Sequence, residues 1–304
     1  MCEELDGLQL NFSESNLLLL DLSLAFIMFG VALNLNVEDF KRVWQHPKKA
    51  LTGVFSQFLI LPALTFVFVW VLKPCPSIAL GMILVAACPG GNLSNFICLL
   101  ARGNVALSVS LTAIASVLSV VMTPFNFTFW ASLYPPAAEL LFGEIQMDLG
   151  SIFLKIFLIL GLPLAMGMMV ATRFPKITAK ITKPIRVLSL IIFASYIVGA
   201  LAANWEYVVD YVQYVILIVF FHNVIALSTG YGTAWLMRLP EFDRRSISIE
   251  TGIQNAGVAL VLIFGEIFNG LGGMAMIAAL WGIWHLLAGS ALAAFWSRRE
   301  PART

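Results

Sequence analysis

Nine stretches of this chain stay apolar for about 20 residues each, the length that crosses a lipid bilayer as a helix. They run approximately over 17–35, 50–72, 77–101, 105–130, 150–171, 185–205, 211–237, 246–268 and 273–297, and almost fill the 304 residues. Only 12% of the residues are charged, against roughly 25% in a soluble domain. That is too little charge to cover a water-facing surface, so a soluble enzyme is excluded. A net charge of +1 without a dense basic stretch excludes a nucleic-acid binder, which must neutralise phosphates. A total of 23 Phe and 8 Trp excludes a disordered chain. The expected class is an all-α polytopic membrane protein of nine transmembrane helices, partnered by the bilayer itself. Cys2, Cys75, Cys88 and Cys98 show no metal-ligand spacing, and two lie in apolar runs. A disulfide framework is therefore not expected.

Charge orients the chain. Sixteen of the 18 Lys and Arg fall in alternate loops and at the C-terminal end, which puts them on one face; only Lys73 and Lys155 fall on the other. Basic residues favour the cytoplasmic side. The N-terminus is expected outside and the C-terminus inside, in the cell (inner or plasma) membrane. Residues 1–16 form an extracellular or periplasmic segment, 17–297 the transporter-like membrane domain and 298–304 a cytoplasmic tail. The first segment is acidic (Glu3, Glu4, Asp6, Glu14), the opposite of a removable signal peptide. Asn11-Phe12-Ser13 is a glycosylation sequon of a kind frequent by chance.

Two of the nine helices carry polar interruptions. Helix 3 contains Cys88-Pro89-Gly90-Gly91-Asn92-Leu93-Ser94-Asn95. Proline removes a backbone donor and the glycines free the backbone, so the helix should unwind in mid-membrane. Helix 8 contains Glu250-Thr251-Gly252-Ile253-Gln254-Asn255-Ala256-Gly257. A carboxylate in the middle of a span costs about 2.5–3.5 kcal/mol. No Lys or Arg lies at that depth, which leaves a metal ion or a proton as the partner of Glu250.

Helices 3 and 8 are five apart, and an odd spacing inverts a repeat across the membrane. Broken segments at matching places in two halves are the strongest sequence pointer to a transporter site. The expected arrangement is a four-plus-five inverted repeat, repeat one over about 17–130 and repeat two over about 150–297, lacking the first helix of repeat one. Gly161, Gly167, Gly230 and Gly289 read instead as close-packing residues.

At these residues the chain resembles the bile acid:sodium symporter family. Pro89-Gly90-Gly91-Asn92-Leu93-Ser94-Asn95, the stretch 101–108 (Ala-Arg-Gly-Asn-Val-Ala-Leu-Ser) and Glu250-Thr251-Gly252-Ile253-Gln254-Asn255 resemble its two crossover regions, and Trp284-His285 with Gly289-Ser290 its last helix. The resemblance covers roughly Phe29 to Trp296 and implies a panel domain (helices 1, 5 and 6) and a core domain (helices 2, 3, 4, 7, 8 and 9). It implies one sodium site at Ser94, Asn95, Ser108, Thr112 and Glu250. A second would use Gln57, Glu250, Gln254 and the carbonyls of Thr251 and Ile253. The implied function is sodium-coupled secondary active symport of an organic anion, bile-acid-like or a small carboxylate, by alternating access. Asn92, Asn255 and His285 match substrate-contact positions. Asn92 stands where well-studied bacterial members have Thr, and Leu286 where Asn commonly follows the His.

Plainer roles stand beside these. Ser108 and Thr112 can bond their own helix, Gln57 can bridge two helices, and His285 can donate to a backbone carbonyl. His222-Asn223 is expected to make a structural hydrogen bond. A proton-coupled carrier would use Glu250 as its proton site; a metalloid or organic-anion exporter would depend on Cys88. An enzyme ranks last, and no catalytic residue is assigned.

Overall fold

The structure, a computed structural model, describes residues 2–7, 25–33, 35, 38, 41, 44–91, 93–141, 148–203, 205–265, 267–268 and 270–301. The Asn11 sequon and Asn92 lie outside the described residues. The order is α1 (Cys2–Asp6), α2 (25–32), α3 (Pro47–Leu72), α4 (Pro76–Ala87), α5 (Leu93–Leu100), α6 (Val105–Ser132), α7 (Pro135–Glu139), α8 (Leu149–Arg173), α9 (Pro175–Ala203), α10 (Trp205–Leu236), α11 (Glu241–Gly252), α12 (Ala256–Phe264) and α13 (Gly272–Ser297). Among the described residues, five helices are long and apolar enough to cross a membrane: α3, α6, α8, α10 and α13. Their outer faces carry large exposed apolar side chains such as Val67, Leu158, Leu162, Leu217 and Leu287. Facing water, such a belt would oppose solubility; facing lipid, it is a solvent-matched surface. The chain is an integral membrane protein with an all-α fold.

The two expected breaks are present. Helix 3 is divided into α4 and α5, and helix 8 into α11 and α12. Proline at 89 ends the first by denying the backbone an amide, with Cys88 already extended. Asn255 begins α12 as its N-cap, its side chain accepting from the Val258 amide. Three boundaries differ from the sequence expectation, one of them the start of α10 at Trp205 instead of about 211. α9 starts at Pro175, a residue pre-set for a first helical turn, so Lys176, Lys180 and Lys183 ride on the helix. α11 starts at Glu241, which places Arg244 and Arg245 within it.

α3 carries a π-helical turn at Ser56–Ile60, and its cause is local. Pro62 has no amide to offer the carbonyl four residues earlier, that of Phe58, and its ring pushes that carbonyl aside. Asn126 of α6 supplies the missing donor, its Nδ2 lying 3.0 Å from the Phe58 oxygen. The widened turn carries Gln57, which is buried.

Helices that meet at the site approach closely. A Cβ on Gly230 would sit 2.5 Å from the carbonyl oxygen of Ile247 and 2.6 Å from Cα of Ser248, so glycine lets α10 lie on the backbone of α11. Gly161, Gly167 and Gly289 likewise face side chains of Val120, Ala32 and Ile253, the packing role expected of them. α2 packs through Gly30 on Ile185 and Ser189 of α9, and through Phe29 and Ala32 on Gly167 of α8.

At one end of the bundle a polar network joins several helix ends. Lys49 Nζ lies 2.7 Å from the fully buried Asp243 carboxylate, to which Asn104 Nδ2 also donates at 2.7 Å. The Arg245 guanidinium donates to the carbonyls of Ala101, Trp296 and Arg299. A cation at the C-terminal ends of α5 and α13 opposes their negative dipole ends.

The structure corrects one expectation outright. Cys2 and Cys75 form a disulfide, while Cys88 and Cys98 are free and buried. Neither bridged cysteine lies in an apolar run; one sits in the acidic N-terminal segment and the other in a loop between spans. Their 73-residue separation hides the pairing from any local spacing rule.

Gly230→Val should force α10 off α11. Overpacking of a tight contact costs about 1–3 kcal/mol, which should appear as a lower melting temperature in detergent, with Gly230→Ala less affected than Gly230→Val.

Candidate functional site

The two breaks meet. Gly90 and Gln254 form an isolated antiparallel bridge, with the Gly91 amide 3.0 Å from the Ile253 carbonyl and the Asn255 amide 2.8 Å from the Pro89 carbonyl. Each unwound segment thus satisfies backbone groups that the other leaves open, which a low-dielectric interior requires. The crossing also explains Gly90. A Cβ there would come within 2.5 Å of Glu250 Oε1 and 3.3 Å of the Glu250 carbonyl oxygen.

Glu250, in the last full turn of α11 before the crossing, is 2% exposed. Three hydroxyls solvate its carboxylate. Ser94 at the start of α5 donates to Oε2 at 2.6 Å, Ser108 of α6 to the same oxygen at 3.0 Å, and Thr112 of α6 to Oε1 at 2.6 Å. Thr112 also lies 3.3 Å from Asn95 Oδ1 and 3.0 Å from the Ser108 carbonyl. Among the described residues no Lys or Arg pairs with this carboxylate. Six oxygens from three elements converge, one of them formally anionic. A hydroxyl can turn its proton away and present lone pairs, so the same oxygens can enclose a hard cation.

A second polar set adjoins it. Gln57 Nε2 donates to Gln254 Oε1 at 3.1 Å and approaches the Cys88 carbonyl at 3.5 Å. Gln254 Nε2 donates to the Thr251 carbonyl at 2.7 Å. The Ile253 carbonyl is already a crossing acceptor, and a carbonyl keeps a second lone pair for another partner.

Every described side chain expected at the two cation sites is therefore drawn into one region. The expected substrate residues are less concentrated. Asn255 is partly exposed beside the crossing and caps α12. His285 is 5% exposed and bonds the Trp281 carbonyl one turn back on its own helix; a carbonyl only accepts, so Nδ1 carries the proton. That is the packed role. His222 meets Thr65 at 2.8 Å, and Asn223 donates at 2.8 Å to the Gly252 carbonyl freed where α11 ends.

Several contributors had no distinctive sequence signal. Ser56 of the π-turn meets the Thr251 hydroxyl at 3.1 Å. Asp243 is a second buried carboxylate; its sequence neighbours look like a solvated loop, and only its pairing with Lys49 across the fold reveals it. Cys88 packs fully buried among core aliphatics.

The profile of the Sodium Bile acid symporter family matches residues 21–211. Over 276 residues the chain is 32% identical to the uncharacterized sodium-dependent transporter YocS of Bacillus subtilis, covering 91% of this chain and 82% of that protein. It is 30% identical over 285 residues to the probable chloroplastic sodium/metabolite cotransporter BASS2 of Oryza sativa, covering 92% of this chain and 64% of that one. With human sodium/bile acid cotransporter 4 it shares 28% over 246 residues, 79% of this chain and 54% of the relative.

Thr112→Val keeps the side-chain shape and removes the donor to Glu250. Loss of a hydrogen bond to a buried charge costs about 1.5–3 kcal/mol. Thermal unfolding in detergent should show that loss for Thr112→Val and little of it for Thr112→Ser.

Proposed function

This chain belongs to the sodium bile acid symporter family, a family of transporters rather than enzymes; from that premise and the crossing we propose that it is a sodium-coupled symporter of an organic anion. The carrying observation is the buried Glu250 carboxylate, surrounded by hydroxyl and amide oxygens instead of a basic side chain. One sodium ion would take Ser94, Asn95, Ser108, Thr112 and Glu250 as its oxygen donors. A second would take Gln57, Glu250, Gln254 and the carbonyls of Thr251 and Ile253. Glu250 serves both, so filling one site alters the field at the other.

The anion would bind beside the crossing. α5 and α12 both begin there, and their N-termini present the positive ends of helix dipoles. Asn92, Asn255 and His285 would be its side-chain contacts, His285 through Nε2. Relatives' names, a sodium/metabolite cotransporter and a sodium/bile acid cotransporter, support an organic anion and leave its size open.

Movement follows from the packing. α3, α4, α5, α6, α10, α11, α12 and α13 share the crossing, the Asn126 and Asn223 bonds and the polar network, so they suit a single core. α2, α8 and α9 form the panel against which it rocks. On this assignment the chain has nine spans in a four-plus-five inverted repeat, its N-terminus outside and its C-terminus cytoplasmic. Each charge carried down the membrane potential releases about 2.3 kcal/mol per 100 mV, the source of uphill anion uptake.

Glu250→Ala should abolish sodium-dependent uptake in vesicles while the protein still reaches the membrane. Uptake undiminished in that variant, or driven by a pH gradient without sodium, would overturn sodium coupling. A melting-temperature screen of organic anions with and without sodium identifies the substrate. A true substrate stabilises more with sodium present, because linkage makes the two bindings reciprocal.

A further inference from the structure

The N-terminal helix is fastened in three ways to helices that the transport cycle uses. Cys2 is bonded to Cys75, with Cα atoms 5.1 Å apart. Asp6 Oδ1 accepts from the Ser77 amide at 2.9 Å, capping the first turn of α4 with a negative charge at its positive end. Leu5 is 2% exposed and belongs to the same apolar cluster as Cys75. α1 thereby lies over the N-terminal end of α4 and against α13, while α2, the next described helix, packs on α8 and α9.

α4 is a stiff rod between this anchorage and the crossing. Its residues from Ser77 to Ala87 are buried throughout, and twelve residues at 1.5 Å each span about 18 Å. One end carries the disulfide; the other delivers Cys88 and Pro89, whose carbonyls meet Gln57 and the Asn255 amide. Whatever holds the first end limits tilt and slide of the second.

The positions also agree on a compartment. The basic-residue asymmetry puts Cys2 and the Lys73–Pro76 loop outside, and disulfides persist in oxidising compartments and not in the cytosol. Cys2 is exposed, so a water-borne thiol or phosphine can reach the bond.

We propose that Cys2 and Cys75 form a redox-sensitive clasp on the outer face, which pins the outer end of α4 and so positions the crossing for sodium binding. The bond forms by exchange with the disulfide form of a thiol–disulfide oxidoreductase of the outer compartment. The two cysteine thiols are oxidised to the Cys2–Cys75 disulfide, and the oxidoreductase disulfide takes up the two electrons and two protons to become a dithiol. External reductant reverses it. The consequence for uptake rests on the transport function proposed above; the bond and its side of the membrane do not.

The test uses the full chain in intact cells. Free thiols are blocked under denaturing conditions, disulfides are then reduced, and the newly exposed thiols are counted by mass-tagged maleimide. Two tagged cysteines are expected in the parent, and none in Cys2→Ser or Cys75→Ser. None in the parent overturns the clasp. Treating intact cells beforehand with a membrane-impermeant phosphine should bring the count from two to none; a count that stays at two overturns its outward placement. After that treatment, sodium-dependent uptake at limiting sodium should fall about two-fold or more and the melting temperature by several degrees, with Cys2→Ser behaving the same in the absence of reductant. Unchanged uptake and melting with the bond broken overturns the role assigned to α4. A chain that transports nothing in any state refutes the transport function, and the thiol count still decides the clasp.

Discussion

Two backbone hydrogen bonds between unwound segments, Gly91 to Ile253 and Asn255 to Pro89, are what the rest of the molecule is arranged to permit. An opened helix inside a membrane exposes amides and carbonyls that lipid cannot satisfy. Each break here would be untenable alone. Together they exchange the bonds they lack, and the surrounding helices close the remainder: Asn223 takes the Gly252 carbonyl, Thr123 the Ala87 carbonyl and Gln57 the Cys88 carbonyl. The polar side chains of the site are thus also the side chains that make the crossing stable. On the proposed function, transport and fold draw on the same residues.

The two buried carboxylates among the described residues are held in different ways. Asp243 faces Lys49 and Asn104; its charge is matched, and its geometry is fixed by a partner on another helix. Among the described residues, Glu250 faces only hydroxyl donors. Hydroxyls steady a carboxylate without cancelling it, and they can reverse their role from donor to ligand. An ion pair at Glu250 would have been a lasting contact that a passing cation would have to break.

Much of this molecule is legible in its amino-acid sequence. The nine apolar stretches and the breaks at Pro89 and Gly252 are composition and chain stiffness, which local sequence expresses directly. The convergence of Ser94, Ser108, Thr112 and Glu250 is legible through family resemblance, and spacing alone places Ser108 and Thr112 on one face. What escapes depends on contacts remote along the chain. The Cys2–Cys75 bond, the burial of Asp243 and the Ser56–Thr251 contact each join segments with no shared local pattern. Arg245 reads as one of a loop's basic residues, because nothing nearby reveals the three carbonyls it collects. His285 shows the opposite limit: a family position can be recognised while the side chain bonds its own helix.

Pro62 and Asn126 carry a consequence for how this protein can change over generations. The proline strands the Phe58 carbonyl, and an amide on another helix rescues it. Their values are linked through that carbonyl, although Asn126 also accepts from the Trp130 indole at 3.2 Å. Losing the asparagine strands the Phe58 carbonyl only while the proline remains, and an ordinary amide at 62 removes that need but straightens the turn that carries Gln57. Lineages should therefore keep both or replace both, so that the pair drifts as one heritable unit and records, in two distant positions, the history of a single bent helix.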